Sequence, residues 1–298
     1  MNKPKTHTLR GMLCSTIGGV CWGLSGTCGQ YLFSEFGISA LWLTCLRLLV
    51  AGGILTLLAL RTHRADLVNI WKQPKDVALL VCYGIFGLML CQYSYMTSIS
   101  WSNAATTTVL QNLSLVLIML VTCLRVRRLP KPIETFALAL AVFGIWMLAT
   151  GGDPHHMTLS PQGLFWGLAT AVAVAIYTLL PQSLLPRWGQ EVISGYGMLI
   201  GGIVLTLFSR SWEVEVQLPA RGWLAVAVII LLGTVMSFSL FMQGVTDLGP
   251  VKSSMLVATE PVSATILSAL WLGTTFSATD FIGFGAIVAT IFLLAKSD

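Results

Sequence analysis

The sequence predicts an all-α membrane protein whose ten transmembrane helices form two inverted five-helix repeats. Three observations predict this fold class: the composition, the length and spacing of the apolar segments, and an internal repeat at a nearly constant offset. Of the 298 residues, 55% are hydrophobic and 10% are charged, whereas soluble domains carry about 25% charged residues. So little charge cannot cover a water-facing surface, which excludes an ordinary soluble enzyme and a free nucleic-acid-binding protein.

Ten apolar segments, each long enough to cross a bilayer, follow one another with short connections. A membrane-spanning helix needs about 20 predominantly apolar residues, and polar turns with Gly or Pro separate the segments. The first segment follows the basic residues Lys3, Lys5 and Arg10 and is too long for a cleaved signal peptide, so we expect a retained helix. The predicted helices 1 to 10 lie near 10–33, 38–60, 77–98, 103–124, 133–150, 162–185, 191–209, 222–243, 250–273 and 278–295.

The distribution of Lys and Arg orients these helices in the membrane. Of the 17 Lys and Arg residues, fourteen share the side of the N-terminus, Arg210 and Arg221 lie on the other side, and Arg47 lies within predicted helix 2. Cytoplasmic connections of membrane proteins carry such an excess of basic residues. We therefore expect an inner-membrane protein with both termini in the cytoplasm, and the net charge of +5 requires no nucleic-acid partner.

Metal binding and disulfide bonding are not expected. The seven Cys residues form no C-x-x-C pair, and all of them fall within or at the end of apolar segments. The four His residues lie outside the predicted helices. His155 and His156 stand near Asp153 in a connection, but adjacent His residues without further ligands favour a solvated loop over a metal site.

An internal repeat divides the chain into two halves. At an offset of 146 residues, Gly87 matches Gly233 and Leu110 matches Leu256, and the offset is 149 to 152 for the first two helices. Predicted helices 1–5 therefore recur as helices 6–10, in domains 1–150 and 151–298. Because five is an odd number, the second copy enters the membrane from the opposite side. Inverted repeats of this kind are typical of secondary transporters, whose substrate site lies near the midplane between the halves.

Several short motifs resemble the drug/metabolite transporter superfamily, in particular its EamA-type members. The motifs are Trp-Gly at 22–23, Leu-Arg at 46–47, Asn-Ala-Ala at 103–105 and Glu-Pro at 260–261, and the resemblance covers almost the whole chain. It implies two five-helix repeats and transport of a small-molecule substrate. Members of the superfamily export amino acids, other metabolites and drugs, and some members import their substrates.

Two ionisable residues lie near the middle of predicted helices, Arg47 in helix 2 and Glu260 in helix 9. Ionisable groups within a membrane are costly and usually functional. The Arg47 guanidinium suits a substrate carboxylate, or alternatively fixes helix packing through backbone carbonyls or Glu260. The Glu260 carboxyl group is expected to bind a cationic group of the substrate or to carry a proton, or else to satisfy a helix break at Pro261, which lacks an N–H.

Polar amides and one aromatic residue complete the predicted site. Gln111 and Asn112 lie near the middle of predicted helix 4, and Gln92 lies in helix 3. Amides in a membrane either join helices or line a cavity, and their shared depth with Glu260 favours a cavity. Trp22 is a candidate for an aromatic wall of that cavity.

Breaks and small residues predict where helices bend or meet. Gly29 in helix 1 and Pro181 in helix 6 occupy matching positions of the two repeats, so we expect gating hinges there, in addition to the kink at Pro261. Gly-x-x-x-Gly motifs predict close helix contacts, within the chain in the first place and alternatively in a homodimer.

The sequence thus predicts a secondary transporter of small organic metabolites, such as amino-acid-like solutes or drugs, that works by alternating access and exports its substrate. A flippase for lipids or lipid carriers on the same fold is the alternative, followed by an importer. No reactive cluster, such as H-E-x-x-H or paired carboxylates, and no G-x-x-x-x-G-K-[ST] motif occurs in the sequence. We therefore expect no enzyme activity and no cofactor, apart from coupling to protons, and the expected partners are the substrate and membrane lipid.

Overall fold

The structure is a computed structural model that describes residues 5–296, with side chains described for residues 8–249 and 252–296. Of the basic residues before the first predicted helix, Lys3 lies outside this part of the chain, and so does the side chain of Lys5. Ten long helices are formed, and no strand occurs among the described residues, which confirms the predicted fold class. The helices are α1 (Lys5–Phe36), α2 (Ala40–Thr62), α3 (Pro74–Trp101), α4 (Ala104–Val126), α5 (Pro132–Thr150), α6 (Pro161–Ser183), α7 (Gln190–Ser209), α8 (Ala220–Leu248), α9 (Lys252–Leu272) and α10 (Ala278–Ala295).

Helices α2 to α10 are long and apolar enough to cross a membrane. Helix α1 has 32 residues and would extend about 48 Å, but Gly, Ser and Thr lower its hydropathy. Because α1 packs against α8, α9 and α4, these small residues allow close contact with protein and not with lipid. Large apolar side chains elsewhere point outward, including Phe208, Leu270 and Leu124, as expected of a surface in contact with lipid.

Helix ends follow the local sequence. The Asn103 side chain accepts a hydrogen bond from the Thr106 N–H at 2.8 Å and begins α4, and the Ser160 hydroxyl does the same for Gly163 at the start of α6. Arg127 follows the last residue of α4 with a φ of 54°, in the left-handed region. The equivalent residue after α9 is a glycine, Gly273, which is also in the left-handed region. The two repeats thus end equivalent helices with the same backbone conformation but different residues.

Contacts between helices obey the symmetry of the repeat. Helix α1 packs along α8, and its counterpart α6 packs along α3, the counterpart of α8. Helix α2 packs against its own counterpart α7, and α5 packs against α10. Each of these contacts joins one repeat to the other, so neither repeat has a separate core. This arrangement is the one expected of two inverted halves that surround a common centre.

Four helices depart from regular α geometry at equivalent positions of the repeats. Helices α3 and α8 contain π-helical turns at Tyr83–Met89 and Leu231–Met236. Helix α4 is interrupted between Gln111 and Ser114, and α9 is interrupted at Ala258.

Different residues cause the two interruptions. In α9, Pro261 has no N–H and leaves the Val257 carbonyl without its helical donor. In α4, the Asn112 side-chain amide donates to the Thr108 carbonyl at 3.0 Å and so competes with the helical pattern. Equivalent breaks therefore arise from a proline in one repeat and from an asparagine in the other.

Helices α2 and α7 approach so closely that a methyl group at Gly52 has no room. A Cβ there would lie 2.8 Å from the backbone nitrogen of Leu199 and 3.1 Å from the carbonyl oxygen of Gly195, whereas a Cβ at the neighbouring Gly53 would meet nothing within 4 Å. We predict that Gly52→Ala lowers stability by about 1–3 kcal/mol because the helices must separate. Gly53→Ala is the matched control, and we expect it to be neutral or slightly stabilising because alanine favours helix. Equal apparent melting temperatures of the two variants in detergent would contradict this packing.

Candidate functional site

A cavity of about 440 Å³ lies between the two repeats. Its walls come from the second halves of α6 and α8, the first half of α9, and the middle of α1, α3 and α4. It extends to Leu185 in the α6–α7 connection, to Gln190 at the start of α7, and to Val245 and Ser254 at the facing ends of α8 and α9. We call this end the mouth and this side of the membrane the mouth side; the other side, to which the α1–α2 connection projects, is the closed side.

Arg47 lines the cavity and is bound to the opposite repeat. Its side chain is buried, with 3% exposed. Its Nε donates to the Thr234 hydroxyl at 2.8 Å, and its Nη2 donates to the Gly233 carbonyl at 3.2 Å. Its Nη1 is buried and has no hydrogen-bond partner among the described residues. One N–H face of the guanidinium is therefore anchored, and one nitrogen stays available for a ligand.

The π-helical turn of α8 makes the anchor for Arg47. In a π turn the carbonyl groups lose their usual donors four residues on. The Thr234 hydroxyl donates to the Ile229 carbonyl at 3.0 Å, and the Ser237 hydroxyl donates to the Leu232 carbonyl at 2.6 Å. The Gly233 carbonyl receives the guanidinium instead. A single turn of α8 thus orients the buried cation of α2.

Glu260 lines the same cavity directly after the break in α9. Its side chain is buried, and none of the hydrogen bonds or ion pairs formed by the described side chains involves its carboxyl group. The carboxyl group lies within electrostatic range of Arg47, but the two do not form an ion pair. Arg47 is therefore not bound directly to Glu260. It is bound to a hydroxyl group and a backbone carbonyl group of α8.

The remaining predicted cavity residues lie around these two charges. Gln92, Gln111 and Asn112 line the cavity, and Asn112 also bonds its own helix. Trp22 lines it too, with its ring centroid 5.5 Å from that of Phe238 and 5.7 Å from that of Phe241. All six predicted binding or coupling residues are thus brought to one cavity, although their roles remain predictions.

The predicted hinges are placed differently. Pro181 lines the cavity in a 3-10 turn that ends α6, and Pro261 follows the break in α9. Helix α1 continues through Gly29 without interruption, and a Cβ there would meet the Met96 sulfur at 3.2 Å. In this conformation Gly29 serves close packing of α1 on α3, and a hinge role for it stays a prediction.

Sequence reasoning missed several cavity residues. Tyr95 is a tyrosine of an apolar segment without a motif, and Thr234 is one hydroxyl among many. Tyr177 is an aromatic residue for which the sequence favours ordinary packing over a cavity wall. The internal repeat offered one signal, since Ser25 and Tyr177 occupy equivalent positions and so do Gly233 and Gly87. In the structure, Ser25 packs on Gly233 of the π turn in α8, and Tyr177 packs on Gly87 of the π turn in α3. Elsewhere, no cluster of His, Cys, Asp or Glu in the described part of the chain has the geometry of a metal site.

Membrane-length helices, two inverted repeats and a cavity between them that holds two buried ionisable side chains define a multi-pass membrane transporter. Residues 9–150 and 161–296 each match the EamA-like transporter family, and the chain belongs to that family.

Individual relatives agree with this assignment. The chain is 34% identical over 288 residues to the "uncharacterized inner membrane transporter YicL" of Salmonella typhimurium, covering 97% of this chain and 96% of that protein. It is 29% identical over 166 residues to the "threonine/homoserine exporter RhtA" of Escherichia coli, covering 53% of each chain. A chain in a crystal structure is 19% identical, with a TM-score of 0.64 and 99% of both chains covered, and so shares the fold. The two relatives YicL and RhtA are named as transporters, which agrees with the expectation that the chain is not an enzyme.

Thr234 offers a test of the anchored guanidinium that needs no knowledge of the substrate. We predict that Thr234→Val lowers the free energy of unfolding by about 1–3 kcal/mol, because it leaves a buried charged donor unpaired. Thr234→Ser keeps the hydroxyl group and should lose much less stability. In an Arg47→Met background the effect of Thr234→Val should shrink, since the donor is gone. Melting temperatures of wild type, Thr234→Val, Arg47→Met and the double variant measure this coupling. Additive effects of the two substitutions would disprove the coupling.

Proposed function

We propose that the protein is a secondary transporter that exports small zwitterionic or amino-acid-like solutes across the inner membrane by alternating access. The observation that carries this proposal is the pair of opposite charges in the cavity, each with unused binding capacity. Arg47 has a buried nitrogen without a partner, and the carboxyl group of Glu260 is buried without a hydrogen bond. A substrate with a carboxylate and an ammonium group would satisfy both.

The size and surface of the cavity suit such a solute. About 440 Å³ is within the range of small-molecule sites, which are mostly apolar with a few placed polar groups. The aromatic and aliphatic lining includes Trp22, Phe241 and Ile118, which would accept an apolar substrate side chain. The name of the relative RhtA describes an exporter of amino acids, which supports this substrate class.

In this conformation the cavity opens to the side from which an exporter would take up its substrate. The mouth side carries the ends of α2, α4 and α6, where most of the basic residues stand, including Arg61, Arg125 and Arg187. The excess of positive charge supports a cytoplasmic location of this side, and we propose that both termini lie on it. In this conformation the cavity would therefore load from the cytoplasm. Proton coupling through Glu260 would supply the driving force, and no other cofactor is proposed.

Arg47 tests the carboxylate contact. We predict that Arg47→Lys raises the half-saturation concentration for leucine about tenfold or more. The single nitrogen of a lysine cannot donate to both Thr234 and Gly233 and also bind the substrate carboxylate, as the three nitrogens of a guanidinium can. The measurement compares leucine with 3-methylbutylamine, the amine without the carboxylate, in proteoliposomes. Wild type should prefer leucine, and Arg47→Met should lose the preference. An unchanged preference would remove Arg47 from the binding site, and transport of lipid without amino-acid transport would favour a flippase.

Glu260 tests the coupling to protons. We predict that Glu260→Gln abolishes the stimulation of transport by a pH gradient, because an amide cannot exchange a proton at this position. Exchange of labelled for unlabelled leucine at equal pH should persist with a higher half-saturation concentration, because the amide carries no charge for the ammonium group of the substrate. Glu215→Gln, which changes an exposed carboxyl group in the α7–α8 connection, is the matched control. Stimulation by the gradient in Glu260→Gln equal to that in wild type would exclude the proton-carrier role.

A further inference from the structure

One glutamine side chain joins three helices on the closed side. Gln30 lies near the end of α1, beyond the cavity. Its side-chain oxygen accepts from the Ala104 backbone N–H at 2.9 Å, at the start of α4, and from the Ser268 hydroxyl at 3.2 Å, in α9. Its side-chain nitrogen donates to the Thr274 hydroxyl at 2.9 Å, just after α9. The amide uses its donor and acceptor groups on partners from both repeats.

The Gln30 contacts lie over the closed end of the cavity. The cavity is lined by Ser25 of α1 but not by Gln30, one to two turns further along. Near this level the Tyr95 hydroxyl bonds the Thr108 hydroxyl at 3.0 Å, and the rings of Tyr31 and Trp271 stack at 5.0 Å. Helix α1 therefore meets α4 and α9 here in a continuous contact that separates the cavity from the closed side.

The equivalent place on the mouth side is open. The repeat counterpart of Gln30 is Gln182, in the turn that ends α6. The side chain of Gln182 is exposed, and it forms no hydrogen bond with the described residues. The counterpart of Ser268 is Thr122 of α4, whose hydroxyl bonds only the Ile118 carbonyl of its own helix. Helix α1 packs on α4, but no comparable contact joins the equivalent pair α6 and α9 among the described residues.

We infer that Gln30 and Gln182 are paired gate residues of the transport cycle: Gln30 holds the closed side shut while the mouth is open, and Gln182 closes the mouth by bonding Thr122 when Gln30 is released. This inference rests on the alternating access of the proposed function. Inverted repeats give two packings related by their symmetry, and each gate residue is engaged in one of them.

The two gates are not equally strong. Pro250 stands where Ala104 stands in the first repeat, and a proline has no N–H to donate. Arg128 stands where Thr274 stands in the second repeat, and a guanidinium has no acceptor for the side-chain N–H of Gln182. Gln182 therefore lacks the counterparts of two of the three bonds that Gln30 makes. The difference favours the packing in which the Gln30 gate is closed and the mouth is open, which is the conformation of this structure.

Cys91 provides a natural reporter for the test, because it lines the cavity. In a background in which the other six cysteines are replaced by serine, a membrane-impermeant thiol reagent is added to one side of oriented vesicles. We expect Gln30→Met to raise the labelling rate from the closed side about tenfold, which corresponds to about 1.4 kcal/mol. Gln182→Met should lower that rate. Gln162→Met, an exposed glutamine at the start of α6, is the control and should leave it unchanged.

The outcomes separate the gate from the transport cycle. Labelling of Cys91 from the mouth side only, in the unsubstituted background and with leucine on both sides, would overturn alternating access and with it the proposed function. Labelling from both sides that changes less than twofold in Gln30→Met would overturn the gate alone. Shifts of the two gate variants in the same direction would also overturn it, since paired gates must act in opposite directions.

A cross-link keeps the inference testable if Gln30→Met does not fold. In a cysteine-free background, Gln182→Cys with Thr122→Cys should form a disulfide on mild oxidation, block leucine transport at least tenfold, and recover on reduction. Gln162→Cys with Thr122→Cys, at opposite ends of the membrane, is the control pair and should not cross-link. Failure of the Gln182–Thr122 pair to cross-link, or a cross-link without effect on transport, would overturn the role of Gln182.

Discussion

The need to satisfy every backbone polar group in a lipid environment governs this structure. Irregular backbone is tolerated at membrane depth only where protein or a cavity surrounds it. Here the π turn of α3 and the breaks in α4 and α9 line one cavity, and the π turn of α8 holds Arg47, which lines the same cavity. Three carbonyl groups of α8 have an identified role: Thr234 and Ser237 use two of them, and Arg47 uses the third. The irregular segments therefore build the site, because a regular helix would leave no carbonyl group for a side chain.

Arg47 depends on this constraint more than any other residue. A buried guanidinium without partners is strongly destabilising, whereas one that is fully paired has nothing left for a ligand. Two contacts to α8 and one unpaired nitrogen place it between these extremes. Because the contacts join α2 of one repeat to α8 of the other, the same bonds that orient the cation also hold the repeats together. Binding at Arg47 is therefore positioned to affect how the repeats pack.

Much of the fold could be predicted from the sequence, for physical reasons that differ along the chain. Apolar length predicts each membrane helix, and the break at Pro261 follows from its missing N–H. Scarcity of charge isolates Arg47 and Glu260, because an ionisable group in a membrane is costly. The π turns could not be predicted in this way. They depend on Gly87 and Gly233 meeting α6 and α1, which is a matter of packing between segments far apart in sequence.

The repeat is symmetric in its backbone but not in its chemistry. Helix pairs, π turns and breaks all have counterparts, yet Arg47 is matched by Tyr196 and Glu260 by Ser114. Tyr196 does not line the cavity; its hydroxyl bonds the Leu67 carbonyl at 3.0 Å. Symmetric backbone provides two packings of comparable energy, while an asymmetric pair of charges provides one site with a defined polarity. Under the proposed alternating access, a substrate held between these charges would keep its orientation while the helices around it exchange roles, so the duplicated fold could move without duplicating the site.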